Sequence, residues 1–146
     1  MSEQLKLEFP DYKNKVIVYT DGACKGNPGP AGIGIVIYKN GRKETYKKEI
    51  GIQTNNIAEL TAVKEALKLL LPERNKKIVI YTDSNYVIGV LTKDWKIKAN
   101  KELIKEIKEL LKNFPKIEFK KVPAHKGNID NELVDRLANS AIKQNL

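Results

Sequence analysis

"KVIVYTD" (Lys15 to Asp21) and "KIVIYTD" (Lys77 to Asp83) are almost the same heptapeptide, and the fold follows from how the two are related. Each is a continuous β-branched run, the pattern of a strand buried on both faces, and each is closed by an aspartate. After the first comes a glycine- and proline-rich stretch, "GACKGNPGPAG" (22 to 32), which reads as a loop. "IGIVIY" (33 to 38), the turn signal Asn40-Gly41 and "KETYKKEI" (43 to 50) then read as a hairpin, so three antiparallel strands follow one another. Leu60, Val63, Leu67, Leu70 and Leu71 recur at helical spacing over 56 to 71, with Pro72 as the stop. A helical connection between the two heptapeptides makes them parallel neighbours. Residues 84 to 91, 101 to 114 and 131 to 143 read as helices and 116 to 123 as a strand. The element order is β-β-β-α-β-α-α-β-α, an α/β class with three antiparallel strands and a later strand parallel to the first.

Parallel pairing would bring Asp21 and Asp83 out together at the carboxyl edge, where open α/β sheets hold their ligands. Two carboxylates ~4 Å apart repel by about 4 kcal/mol at an effective dielectric near 20, so a proton, an arginine or a metal cation must stand between them. Either aspartate alone is equally readable as a turn or cap residue. Glu59 sits at the margin of the apolar stripe of its helix, with Val63 and no lysine at i+4, although Asn56-x-x-Glu59 also resembles a capping box. Asp135 lies outside the stripe of Leu133, Val134, Leu137, Ala138, Ala141 and Ile142 and has no basic neighbour at i±3 or i±4, while a solvated helix face explains it as well. Four carboxylates without clustered cysteine or histidine make a hard oxygen site, which suits magnesium or manganese and not zinc or copper.

Composition sets bounds on the rest. A chain of 146 residues with 41% apolar and 31% charged residues is one ordinary globular domain, with residues 1–14 as a short polar leader and 15–146 as the domain. Lys and Arg number 27 against 18 Asp and Glu, a net charge of +9 that favours polyanionic partners. The longest apolar stretch, "GIGIVIY" (32 to 38), is far short of a membrane span, and the polar start lacks a signal-peptide core, so a cytoplasmic location is expected. A single cysteine, Cys24, excludes an intrachain disulfide framework.

In this order and spacing, "YTDGACKGNPGPAG", "TNNIAEL", "YTDSNYVI" and "PAHKGNIDNELVDRLAN" resemble the type 1 ribonuclease H family over about residues 15 to 143. The resemblance implies a ribonuclease H-like fold, α/β with a five-stranded mixed sheet, three strands antiparallel and then two parallel, flanked by helices, and a monomeric endonuclease that cuts the RNA strand of RNA–DNA hybrids. The family's catalytic carboxylates fall on Asp21, Glu59, Asp83 and Asp135, the same four acids. They imply two magnesium ions during catalysis, with manganese as an acceptable substitute, and in-line displacement leaving 5′-phosphate and 3′-hydroxyl ends. His125, the one histidine, stands where similar enzymes use a histidine in proton transfer or product release. Cys24, Asn27, Asn55, Asn56 and Asn85 match positions that line the hybrid's minor groove, where short amides can meet 2′-hydroxyls. One departure is the basic, tryptophan-rich protrusion of many bacterial members, here reduced to "TKDWKIKANKELIKEI" with Trp95 alone and Lys93, Lys96, Lys98 and Lys101 as a smaller patch. A non-catalytic nucleic-acid module and a junction resolvase or transposase core on the same architecture are the competing readings. The four intact acids disfavour the first, because unneutralised carboxylates repel phosphates, and the "NNIAEL" and "PAHKGN" blocks disfavour the second.

Overall fold

The computed structural model describes residues 14–122 and 128–142. One five-stranded sheet runs through these residues in the order β3-β2-β1-β4-β5, with β1 Lys15–Cys24, β2 Gly29–Lys39, β3 Arg42–Gln53, β4 Lys77–Thr82 and β5 Ile117–Lys121. The helices are α1 Asn55–Leu70, α2 Asn85–Thr92, α3 Lys101–Leu111 and α4 Ile129–Ala141, and a 3-10 turn at Leu71–Glu73 follows α1. Strands β1, β2 and β3 are antiparallel, whereas β1 with β4 and β4 with β5 are parallel, as the hairpin and crossover patterns predict for the first four strands and the family resemblance for β5. Asn40 and Gly41 both take positive φ, 52° and 70°, the backbone that a tight two-residue hairpin turn requires.

Strand alternation sorts the core into two layers. Val16, Val18, Ile33, Ile35, Ile37, Ile78 and Ile80 face α1, α2 and α3, where Leu60, Leu67, Leu70, Ile104 and Ile107 complete the larger core. Ile17, Val36, Tyr38 and Val79 face the other way onto Val134 of α4. Helix α4 comes close to the sheet because β2 offers Gly32 and Gly34 there. A Cβ on Gly34 would lie 2.5 Å from the Val134 carbonyl oxygen and 2.8 Å from Leu137 Cβ.

Two expectations are corrected. The stretch 22 to 32 is not one loop: β1 continues to Cys24 and β2 begins at Gly29, so only Lys25–Pro28 turn, closed by a 2.8 Å bond from Lys25 N to Pro30 O. Glycine and proline here permit close backbone packing within a ladder. Asp21 therefore does not end its strand. Parallel pairing of β1 with β4 stops at Tyr19 opposite Tyr81, and β1 then runs on against β2 alone, with Asp21 opposite Gly34. The expected leader at 1–14 lies outside the described residues, apart from Asn14. No helix among the described residues is long and apolar enough to cross a membrane.

Candidate active site

The β1–β4 register fixes the first two acids. With Tyr19 opposite Tyr81 and their rings stacked 5.0 Å apart, the next equivalent residues are Thr20 with Thr82 and Asp21 with Asp83. Both aspartates follow the alternation of Ile17, Tyr19, Val79 and Tyr81 and so belong to the α4 face of the sheet. Asp21 is 4% exposed within its strand, whereas Asp83 is exposed just beyond the end of β4.

Glu59 arrives from the opposite layer. Gly22 faces α1, and a Cβ there would collide with the main chain of Ala58 and sit 2.5 Å from Glu59 N, so the missing side chain lets the first turns of α1 rest on β1. Gly22 N donates to Glu59 Oε1 at 3.1 Å and to Asp21 Oδ1 at 3.0 Å, holding both carboxylates at the sheet edge. The capping-box reading of Glu59 is displaced: the N-cap of α1 is Thr54, whose hydroxyl accepts from Ile57 N at 3.2 Å. Oxygen atoms of Asp21, Glu59 and Asp83 all lie within 4.8 Å of one another. Asp135, exposed on α4, stands outside that tight triangle but is near enough to Asp21 to raise the pKa of its carboxyl. Asn139 Nδ2 donates to Asp135 O at 2.9 Å and more distantly to its carboxylate at 3.3 Å.

This concentration of acid has an electrostatic consequence. Burial, then the charges of Glu59 and Asp83, then Asp135, push the Asp21 carboxyl up to about 10. Burial and Asp83 push Glu59 up to about 8, against the opposing pull of Gly22 N–H and Asp21. Without a cation the buried pair carries less than two negative charges at neutral pH. A divalent ion among these oxygens would restore both charges. The donor set is carboxylate throughout, since Cys24 Sγ is turned away to donate to Gln53 O at 3.3 Å, and burial together with Glu59 keeps its thiol protonated. Hard ions of the magnesium and manganese type fit such a set.

The residues matched to substrate contact fall into two places. Cys24, Asn27, Asn55 and Asn56 gather where the β1–β2 turn meets the start of α1, tied by Cys24 to Gln53 and by Asn55 N donating to Asn27 Oδ1 at 3.0 Å. Asn85 opens α2, two residues beyond Asp83, and its Oδ1 accepts from Lys121 Nζ at 2.6 Å. His125 lies outside the described residues. Sequence reasoning passed over Gly22 and Lys121. Gly22 was open to detection, because it replaces the serine that follows the second "YTD", whereas nothing local to Lys121 marks it.

Comparison with known proteins agrees with this geometry. The RNase H family model matches residues 13–143. The ribonuclease H of Ehrlichia chaffeensis is 42% identical over 144 residues, covering 90% of this chain and 97% of that protein. The structure of LC11-RNase H1, isolated from compost, superposes with a TM-score of 0.78 at 33% identity, over 89% of this chain and 96% of that one. The same enzyme in complex with an RNA/DNA hybrid gives a TM-score of 0.76 at 32% identity, over 87% and 96%. A family match across nearly every element, joined to carboxylates from β1, α1 and the end of β4, leads to one assignment: the chain belongs to the ribonuclease H family, in its type 1 form, and is an endoribonuclease of that class.

Proposed function

We propose that the chain hydrolyses the RNA strand of RNA–DNA hybrids, using magnesium held by Asp21, Glu59, Asp83 and Asp135, with manganese able to replace it. The observation that carries this reading is the meeting of Asp21, Glu59 and Asp83 within 4.8 Å from three separate elements. When bound, two divalent ions supply the positive charge and Lewis acidity that in-line displacement at a phosphodiester needs, giving 5′-phosphate and 3′-hydroxyl ends. Asp21 is the central ligand, because it is the buried member of the set, held within the sheet with Glu59, Asp83 and Asp135 around it. Gly22 N–H orients Glu59, so this carboxylate is in place before substrate arrives. Asp83 and Asp135 close the site from the solvent side. His125, in the sequence just before α4, serves proton transfer or product release. Cys24, Asn27, Asn55, Asn56 and Asn85 present amides and backbone to the minor groove, where 2′-hydroxyls mark the RNA strand. The catalytic unit spans residues 15–146 and works as a cytoplasmic monomer.

The test is incubation of purified protein with a labelled RNA–DNA hybrid, with and without magnesium, beside duplex RNA and duplex DNA. Metal-dependent cutting confined to the RNA of the hybrid is the expected result. Salt-sensitive binding with no cutting under magnesium or manganese would replace this reading with that of a binding module.

A further inference from the structure

Strand β5 carries a cation to the edge of the site. Ile117 and Phe119 pack into the larger core, so alternation places Lys121 on the same side of the sheet, toward α2, and Lys120 on the other. Lys121 is in register with Thr82, and the next residue, Val122, donates its N–H to Thr82 O at 2.9 Å, which ties the end of β5 to the residue before Asp83. From there Lys121 Nζ reaches Asn85 Oδ1 at 2.6 Å.

The chemistry of this contact is one-sided. An ammonium group has three donors and no acceptor, so it can engage an amide only through the oxygen. Asn85 could otherwise present either end of its amide to a ligand, because oxygen and NH2 exchange places by a half-turn of the side chain. Against Lys121 that half-turn would set NH2 against ammonium. The oxygen is thereby held inward, and Nδ2, with two donor hydrogens, is left for a partner outside the protein.

We propose that Lys121 is a positioning residue that makes Asn85 a dedicated donor toward acceptors of the RNA strand, the 2′-hydroxyl oxygen or a minor-groove base edge. The proposal rests on the hybrid-cleaving function above and names what turns Asn85 toward RNA. Lys121 acts on recognition and not on the chemical step, since its contact is with Asn85 and not with the acids.

The experiment measures binding of an RNA–DNA hybrid and of duplex DNA of the same sequence, without divalent metal, for wild type, Lys121→Gln, Lys121→Arg and Lys120→Gln. Cleavage kinetics with magnesium run alongside. Lys121→Gln should weaken hybrid binding and raise KM about fivefold with kcat within about twofold, and should change duplex DNA binding no more than Lys120→Gln does. Lys121→Arg, which keeps charge and donors, should restore hybrid preference. In an Asn85→Ala background Lys121→Gln should add nothing further. Equal losses for Lys121→Gln and Lys120→Gln on both duplexes would overturn the proposal, because the effect would then be net charge alone. Additivity with Asn85→Ala would overturn it too. If wild type itself fails to cut the hybrid with magnesium, the functional reading falls, an outcome distinct from either of these.

Discussion

The two heptapeptides start from nearly the same residues and end in different roles. In β1 the ladder continues past "YTD", so Asp21 is buried within the sheet and surrounded by three other carboxyl groups. In β4 the strand stops at Thr82, and Asp83 stands in solvent before α2. The residue that follows each aspartate fits this divergence. Gly22 lets α1 lie against β1, while Ser84 caps α2, its hydroxyl accepting from Val87 N at 3.1 Å. One repeated motif thus supplies two unequal carboxylates, one buried within the sheet and one exposed beyond it, which in the proposed function become a hub and an outer ligand.

Replacing each aspartate by asparagine tests that inequality most severely. Both Asp21→Asn and Asp83→Asn should lower kcat on the hybrid by about a thousandfold or more, as expected when several kcal/mol of transition-state stabilisation are lost. Their stabilities should separate them. Asn at 21 keeps an oxygen for the Gly22 N–H and removes a buried acid, so its thermal midpoint in EDTA should be at or above wild type, whereas Asp83→Asn should leave the midpoint nearly unchanged. Near wild-type cleavage by Asp21→Asn would refute the assigned centre. Matching midpoint shifts for the two variants would break the hub-and-outer-ligand distinction.

The neighbours of the aspartates give the next largest effect. Gly22→Ala drives a Cβ into the main chain of Ala58 and Glu59 and should destabilise the fold by about 1–3 kcal/mol. It should also raise the magnesium concentration needed for half-maximal activity, because Glu59 rides on the displaced helix. Ser84→Ala removes only a cap and should lose about 1 kcal/mol with magnesium dependence unchanged. Urea denaturation and a magnesium titration of each variant read both quantities, and a shift in metal dependence with Ser84→Ala would contradict the division of labour.

Much of this was legible in the chain, and the reasons are physical. Two β-branched runs joined by a helix-length connection admit few topologies, and Asn40-Gly41 names its own turn, so the antiparallel first three strands and the parallel pairing of β1 with β4 followed from pattern, while the place of β5 came from the family resemblance. Asp21 and Asp83 stood out because their motif is repeated, and Glu59 and Asp135 because neither has a basic partner at helical spacing. Glycine stretches were harder. In 22 to 32, glycine and proline signalled a break, but Gly22 and Gly32 sit in strands where helices approach the sheet, and a missing side chain looks the same in a turn as in a close contact. Lys121 was illegible because its partner, Asn85, is distant in sequence and meets it only through the β4–β5 register.

Proton linkage offers a gentler probe of the same contrast. The folded-state pKa of Asp21 is raised, so the folded protein binds more protons than the unfolded chain wherever the unfolded acid is ionised, and stability must fall as pH rises. Metal-free wild type and Asp21→Asn should therefore be equally stable near pH 4, and wild type should fall progressively behind as pH climbs toward about 10. Magnesium should close the gap by favouring the ionised acids. Thermal melts across pH in EDTA and in magnesium would show it, and a gap that is independent of pH would mean that Asp21 is not the strained group.

The smallest effect concerns the threonines in the two motifs, both fully or almost fully buried. Thr82 Oγ1 accepts from Ser84 N at 3.1 Å, a bond made available because the ladder ends there. Thr20 lies where β1 continues, its backbone committed to the sheet, and its hydroxyl has no hydrogen-bond partner among the described residues. An unpaired buried hydroxyl contributes nothing that a methyl of similar volume would not, whereas deleting the Thr82 acceptor strands the part-buried N–H of Ser84. Thr20→Val should thus be neutral or slightly stabilising, while Thr82→Val should lose about 1 kcal/mol or more. Equal losses at the two positions, measured by urea denaturation, would show that Thr20 is hydrogen-bonded after all and that the two motifs differ less at their threonines than at their acids.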